Sequence, residues 1–401
     1  MPTGRLLFCV LGVVFAGGVL ATDASASTLL VLQFHNNSQY TDLDWVGESV
    51  AETLMAELSG ANQIVLDRQA RRDGLRQLSL RADAGYTKAT IIRLGESLDV
   101  DLVCYGSYEI TLPSATAELK DSSVRISARF LDLRKMRDGP EFSEAGKLAD
   151  LTRLEEHLAW QTIKYVDPSA NVSPEQFMAP AKLIRLDAEE SYVRGLLSNN
   201  PEQQEKWLLQ ATKLDPQFAN ATFELGIVEL KEKNYRQAIA TLEHISASDV
   251  NYGAARFKMG LAAFHAGDYS AANSYFHDVS KQFPISEVYN NIGAAEDELN
   301  SPAAIDDFRH ALEGDQSDPD YLFNLSLALI KNNQFDEAAN KLKVLLAQNP
   351  DDSEAQALLT HALHRDATAV TGKDRPQEHL KNSFNETAFR QLKAVLMHNG
   401  E

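Results

Sequence analysis

The feature that most constrains this chain is an internal repeat in its second half. Three segments align in phase: ANATFELGIVELKEKNYRQAIATLE, GAARFKMGLAAFHAGDYSAANSYFH and PDYLFNLSLALIKNNQFDEAANKLK. Gly226 and Gly260 are 34 residues apart, as are Ala238 and Ala272. Small residues at a fixed period mark where two helices touch, and such helical pairs bury their apolar faces only by stacking. The repeat therefore predicts an all-α superhelical solenoid over residues 181–364.

The recurring positions resemble the tetratricopeptide repeat, in which the first helix of each unit lines a concave face. They are Leu225-Gly226, Tyr235 and Ala238; Met259-Gly260, Tyr269, Ala272 and Pro284; and Leu325-Ser326, Phe335, Ala338 and Pro350. Three units depart from the pattern. The first, around Tyr192 to Pro216, is short in its hairpin, and the fourth has Asn300-Ser301-Pro302 there. The sixth stops after one helix, residues 353–364, which we expect to cap the stack.

The first 26 residues differ in composition from the rest. A positive Arg5 precedes an apolar run, and Ala24-Ser25-Ala26 is a small-x-small cleavage site. This layout predicts a secretory signal peptide over residues 1–26, cleaved after Ala26, and a periplasmic or secreted protein. An uncleaved membrane anchor is the alternative, although the apolar run is shorter than the ~20 residues that span a bilayer. No later segment is long and apolar enough to span a membrane.

Residues 28–167 predict a mixed α/β domain, an α+β-like sheet with flanking helices. The expected strands are TLLVLQF, QIVLD, VDLVCYGSYEI and SSVRISARFLDL. The last alternates apolar and polar residues, as a half-exposed antiparallel strand does. Apolar residues recurring every four positions from Val46 to Leu58 predict a helix, as do TKATIIRLGESL and TRLEEHLAWQTIKYV.

The start of this domain resembles the TolB amino-terminal-like domains of bacterial cell-envelope proteins, including curli-secretion and flagellar outer-membrane lipoproteins. The residues that carry the resemblance are Phe34, Asn36 to Ser38, Asp44-Trp45, Gly47 and Gly106. The resemblance implies an α/β fold without catalytic residues. We therefore interpret the polar loop before Gly47 as a connection, and Trp45 as a core residue under the helix.

Proline-rich residues 168–180 predict a linker, in which Ser173 and Gln176 cap one short helical turn. We expect the regions on either side of it to fold separately. Residues 365–380 predict coil, and residues 381–398 an amphipathic helix that begins at Ser383. We expect its apolar face to pack on the array. The alternative is a structural subunit that oligomerises through this helix.

Charge argues against some partners. The chain has 38 basic and 57 acidic residues and a net charge of −19, which makes nucleic acid and anionic membranes poor partners for the whole protein. Five arginines, Arg68, Arg71, Arg72, Arg76 and Arg81, lie close together. We interpret them as a solvated, partly salt-bridged surface. A docking patch for an acidic partner or an anionic glycan is the alternative.

The sequence offers no catalytic or cofactor motif, and we expect neither an enzyme nor a bound cofactor or metal. The loop before Gly47 lacks the glycines and lysine of a phosphate-binding loop. Cys104 lies in an apolar strand, and His361 and His364 lack the partners that would complete a zinc site. The alternative is an envelope enzyme whose site would show perturbed carboxylates near Asp42, Asp44 or Asp101.

The array presents a specific candidate surface. Aromatic side chains recur at one position of the first helices, and an asparagine at the next position can hydrogen-bond the backbone of a ligand peptide. The candidate partner-binding residues are Tyr192, Phe223, Phe257, Phe264, Asn290, Asn291, Phe323 and Asn324. The alternative is that the aromatic rings pack on neighbouring helices. The sequence thus predicts a protein-interaction scaffold of the bacterial cell envelope that binds a protein or peptide along the concave face.

Overall fold

The computed structural model describes residues 27–61, 63–113, 121–179, 184–370, 375–386 and 389. The predicted signal peptide lies outside these residues, as does most of the predicted C-terminal helix. In the described part of the chain, every helix is too short or too polar to cross a lipid bilayer.

The N-terminal region is a six-stranded mixed sheet with helices, as predicted. Its strands are β1 Thr28–Val31, β2 His35–Asn36, β3 Ile64–Val65, β4 Leu102–Thr111, β5 Ser123–Asp132 and β6 Arg137–Lys147. The order is β3-β1-β4-β5-β6, with β2 also paired to β4. The first four strands pair in parallel, and β4, β5 and β6 form antiparallel pairs. The helices are α1 Trp45–Gly60, α2 Arg68–Gln77, α3 Lys88–Ser97, α4 Leu151–Val166 and α5 Pro174–Met178.

Local sequence accounts for these elements. Strand β5 buries every second residue on one face, as the alternation predicts. Thr87 caps α3, and α5 has the predicted capping box between Ser173 and Gln176. Trp45 is buried at the start of α1. Gly47 is required because a Cβ at this position would overlap the carbonyl oxygen of Phe34.

The structure corrects the predicted solvent exposure of one arginine in this cluster. Arg71 is only 2% exposed, and its guanidinium pairs with the buried carboxylate of Glu48 and lies 3.7 Å from that of Glu52. Arg72 and Arg76 are exposed, as expected. Arg71 lies on the face of α2 that packs toward α1, so an arginine there needs a buried carboxylate, whereas its neighbours reach water.

The second half is a stack of helical pairs ending in a single helix, which agrees with the repeat period. The helices are α6 Leu186–Leu197, α7 Pro201–Leu214, α8 Ala219–Lys231, α9 Tyr235–Leu242, α10 Tyr252–His265, α11 Tyr269–Ser280, α12 Ser286–Glu298, α13 Ala304–Gly314, α14 Pro319–Lys331, α15 Phe335–Gln348 and α16 Ser353–Leu363. The periodic glycines lie where paired helices touch: a Cβ at Gly260 would lie 2.5 Å from the ring of Phe276.

The two regions share one hydrophobic core, although the sequence predicts that they fold separately. A continuous cluster joins Val50 of α1 and Leu158 of α4 to Val193 of α6 and Val228 of α8. The Ser49 hydroxyl donates to Glu189 at 2.8 Å across the same contact. The domain boundaries drawn from the sequence stay predictions. The apolar cluster that crosses them packs the two regions against each other.

The C-terminal part of the chain also differs from the prediction. Residues 381–385 are not helical, and helical backbone is described only at Glu386 and Phe389. A short 3-10 helix, Thr368–Val370, interrupts the predicted coil. Residues 375–385 instead cross the array without regular secondary structure, and side chains of the first helices take up the backbone hydrogen bonds of His379 and Lys381.

Candidate functional site

The first helices α10, α12 and α14 form a groove that the chain's own C-terminal part occupies. We call Arg375–Glu386 the tail segment. We call the residues beneath it the groove: Phe257, Phe283, Asn290, Asn291, Asp297, Glu298, Asp318, Asp320, Tyr321, Phe323 and Asn324. The contacts between the tail segment and the groove therefore show what kind of ligand the groove can hold.

Two asparagines pair with the tail backbone in the same way. Asn291 Nδ2 donates to the Lys381 carbonyl at 2.8 Å, and Asn291 Oδ1 accepts from the Lys381 N–H at 2.8 Å. Asn324 makes the same two bonds with His379, at 2.9 and 2.8 Å. The paired residues alternate along the tail, as they would in a β-ladder. Such recognition reads the backbone of an extended peptide and not its sequence.

Asn290 completes this polar row. Its Nδ2 donates to the His379 carbonyl at 2.9 Å, while its Oδ1 accepts from Asn324 Nδ2 at 2.8 Å. All three asparagine side chains are buried beneath the tail segment. Because each amide has both donor and acceptor bonds, the row holds the tail without leaving a costly unpaired polar group.

Side chains of the tail segment enter an acidic corner at the start of α14. His379 stacks on the ring of Phe323, with centroids 4.1 Å apart, and its Nδ1 lies 3.1 Å from Asp320. Lys381 Nζ donates to Asp318 at 2.8 Å and to Asp320 at 2.6 Å. The hydrogen bond with His379, followed by the contact with Lys381, lowers the pKa of Asp320 to about 2. The corner therefore favours a positive charge.

An aromatic pocket receives the far end of the tail segment. The Phe384 ring lies 5.1 Å from Phe257 and 5.3 Å from Phe283, centroid to centroid. Lys258 Nζ donates to the Asn382 carbonyl at 2.6 Å beside this pocket. Tilted aromatic pairs at such distances add to the free energy of burial. Phe384 is thus an anchor of the tail.

The near end of the tail segment contains one unfavourable contact. Arg375 pairs with Glu298 and with Glu378, the latter at 3.0 Å. The Glu378 side chain is fully buried, and its carboxyl lies against that of Asp297. Burial, together with the Asp297 carboxyl, raises the pKa of Glu378 to about 8.

The structure brings together five of the eight predicted site residues: Phe257, Asn290, Asn291, Phe323 and Asn324. The other three lie elsewhere. Tyr192 packs on Phe218 at 4.8 Å, and Phe264 packs on Tyr269 at 5.1 Å. Phe223 is half-buried and lines a separate cleft.

Sequence reasoning missed the acidic corner and the tail segment. The sequence did contain a signal for the acidic corner. Asp318 precedes Pro319 and caps α14, which is the inner helix of one repeat unit. The tail was missed because residues 375–380 were predicted as coil without a partner and Phe384 was assigned to the apolar face of a helix. Only contact with the groove shows that the chain is extended there.

A second candidate site lies between the two regions. This junction cleft has a volume of about 990 Å³ and is lined by Glu52, Glu156, Glu189, Tyr192 and Phe223, among others. Burial raises the pKa of Glu52 and of Glu156 to about 7, and it also raises that of Glu189. These perturbed carboxylates do not lie at the positions that the enzyme alternative named.

Two of the carboxylates named for that alternative have structural partners. Asp44 accepts from Asn36 Nδ2 at 2.8 Å, and Asp101 accepts from the Thr28 N–H at 2.9 Å. Cys104 is buried, which raises the pKa of its thiol. Across the described ranges, no group of three or more His, Cys, Asp and Glu side chains is placed to hold a metal ion.

Comparison with known proteins identifies the array. Two family models, both described as tetratricopeptide repeat, match residues 223–284 and 300–362. No curated protein matches the chain. Neither family match reaches the α/β region, so its resemblance to TolB amino-terminal-like domains stays a prediction. The chain therefore carries tetratricopeptide repeats.

Several solved structures are similar to part of the chain. YrrB, described as a TPR protein with an unusual peptide-binding site, is 21% identical; the match covers 44% of this chain and 92% of YrrB, with a TM-score of 0.39. Pseudomonas aeruginosa PilF is 20% identical over 45% of this chain and 85% of PilF, with a TM-score of 0.38. MamA from Desulfovibrio magneticus RS-1 is 18% identical over 41% of this chain and 96% of that chain, with a TM-score of 0.38.

Proposed function

We propose that this protein is a non-enzymatic interaction scaffold of the bacterial cell envelope that binds an extended segment of a partner protein along the concave face of its repeat array. Tetratricopeptide proteins are protein-interaction scaffolds. The observation that carries the proposal is the pairing of Asn291 and Asn324 with alternate residues of an extended backbone.

The groove has the two properties that peptide recognition needs. Its asparagine row bonds the backbone, which supplies affinity for any extended segment. Its acidic corner and aromatic pocket accept particular side chains, which supply selectivity. The residues at these two sites are Asp318 and Asp320, and Phe257 and Phe283.

The envelope location is supported by two sequence features, the signal peptide over residues 1–26 and the TolB-like resemblance of residues 28–167. Amino-terminal sequencing of protein recovered from the periplasm should start at Ser27. Recovery of the intact chain from the cytosol, still beginning at Met1, would contradict the location.

Capture experiments with matched variants test the binding role. Full-length protein and the double variant Asn291→Ala, Asn324→Ala are used to capture proteins from an envelope extract. Asn332→Ala is the control, because this asparagine bonds only the Ala328 carbonyl of its own helix. A partner of the groove should be captured by wild type and control and lost from the double variant. Equal capture by all three chains would refute groove binding.

A further inference from the structure

We propose that the tail segment is an intramolecular competitor for the groove, and that the partner it excludes is an extended segment with a similar side-chain pattern. That pattern is a flat ring, a lysine or arginine two residues later, and an aromatic ring three residues after that. In the tail these are His379, Lys381 and Phe384. The inference rests on the proposed function and names the ligand class of the same groove.

The array does not need the tail segment to close its own core. The paired helices are already in contact beneath the groove, with Gly260 against Phe276 and Gly293 against Phe308. The apolar side chains of the tail that pack against the array core are Leu380 and Phe384, both partly buried, and the ring of His379 stacks on Phe323. The row beneath the tail is polar, so water can solvate it after release. A groove of this kind can exist open or filled.

Charge specifies the partner. Five carboxylates face the tail segment, those of Asp297, Glu298, Asp318, Asp320 and Glu354. The tail segment pairs with these carboxylates through Arg375 and Lys381, although the whole chain carries a net charge of −19. Complementary charge favours a basic partner segment and disfavours an acidic one.

The tail segment binds less well than its contacts allow, and this makes it displaceable. Its Glu378 carboxyl is buried against the carboxyl of Asp297, and Arg375 Nη1 lies 3.0 Å from the former and 4.0 Å from the latter. Burying two carboxyl groups against each other is costly, because each disfavours the charged form of the other. A partner with a neutral residue at this position avoids that cost while keeping the anchors, so it can outcompete the tail.

A second copy of this chain is a weaker candidate for the occupant. Val370 is buried in the array core, and only residues 371–374 separate it from Arg375. So short a connection gives the chain's own tail an effective concentration on the order of millimolar. The tail of a second copy has the same sequence and no such advantage, whereas a better-fitting partner gains affinity through its different sequence.

The test measures binding of a fluorescein-labelled peptide, Arg375–Glu386, to the full chain by fluorescence anisotropy. Lys381→Glu reverses the charge that meets Asp318 and Asp320 and should release the tail while leaving the groove intact. Lys343→Glu makes the same charge change on an exposed site of α15 and is the matched control. The peptide should bind Lys381→Glu at least about tenfold more tightly than wild type or the control, because the site is no longer mostly occupied.

A second variant should act in the opposite direction. Glu378→Gln keeps the hydrogen bond to Arg375 and removes the buried carboxylate, so its tail should dock more firmly and the peptide should bind several-fold more weakly than to wild type. Adding Asn291→Ala and Asn324→Ala to Lys381→Glu should abolish peptide binding. Circular dichroism confirms that each chain is folded.

The outcomes separate the inference from the proposed function. Equal peptide affinity for wild type and Lys381→Glu would show that the tail does not compete, and would overturn the inference while the groove remains a peptide site. No binding to any folded chain would overturn both. A wild-type dimer in light scattering that Lys381→Glu dissociates would identify a second copy as the occupant, and would overturn the inference.

Discussion

The imidazole of His379 lies flat on the ring of Phe323, with centroids 4.1 Å apart and planes inclined by 4°. Phe323 was predicted to contact a partner protein, and it is 0% exposed while His379 lies on its ring. The burial of the groove aromatics therefore depends partly on the tail and partly on the array. This distinction decides which substitutions can probe binding.

The groove phenylalanines are expected to be poor probes. Phe257 packs on Phe276 within its own repeat and is 1% exposed. Truncation of a buried Phe costs about 3–5 kcal/mol, so Phe257→Ala and Phe323→Ala should lower the free energy of unfolding by amounts of this order. Urea unfolding measures the loss, with half-buried Phe223→Ala as the milder comparison. Unchanged urea midpoints would show that the rings do not support the array.

The asparagine row is expected to be the cleaner probe. Asn291→Ala removes two hydrogen bonds to Lys381, and Asn324→Ala removes two to His379. Each change should weaken tail docking by about 1–3 kcal/mol. Hydrogen exchange at the amides of His379 and Lys381 measures the loss of protection, with Asn332→Ala as the control. Protection equal to wild type in either variant would contradict the described pairing.

Binding of the tail peptide should weaken as the pH rises from about 5 to 9. The pKa of Glu378 is raised to about 8 by burial and by Asp297, and that of His379 is raised by its hydrogen bond to Asp320 and by nearby Glu354. When a group has a higher pKa in the bound peptide than in the free peptide, its full contribution to the affinity is present below its pKa in the free peptide. That contribution is lost as the pH rises through its pKa in the bound peptide. Each group can change the affinity by up to about tenfold per pH unit.

The change in affinity at acid pH and the control peptide also depend on groups at this contact. Asp320 has a pKa lowered to about 2, so its contribution is present above its ordinary value of 3.8 and is lost only as the pH falls toward 2. Arg375, whose pKa its acidic neighbours raise despite its partial burial, pairs with Glu298 and Glu378 at the near end of the tail segment. Anisotropy titrations with the Lys381→Glu chain measure the profile. A Glu378→Gln peptide should show a flatter profile above pH 7, and a profile identical to that of the parent peptide would contradict the role of Glu378.

The junction between the two regions should make their unfolding cooperative. Ser49→Ala removes the hydrogen bond to Glu189 within the shared core and should cost about 1–3 kcal/mol, because a buried carboxyl keeps only its bond from Thr152. Calorimetry should show one transition that moves to lower temperature as a whole. Two separate transitions, of which only one responds to the substitution, would show that the regions are independent after all.

Much of the fold was predictable because its signals are local. The period of small residues placed the helical pairs, the alternation in Ser123–Asp132 placed a strand, and the Ser173 capping box placed a short helix. The asparagines were also identified from their position in the repeat. Each inference needed only a residue's place within its own helix or strand.

The sequence by itself determined that this chain builds a repeat array with a row of asparagines and aromatic rings along its first helices. Only the tertiary structure decided that Arg71 is buried against Glu48, that one core joins both regions, and that the tail segment lies extended in the groove. These features depend on contacts between residues far apart in the chain. The backbone of the tail adopts its form because Asn291 and Asn324 supply its hydrogen bonds, and no local pattern in the tail records that.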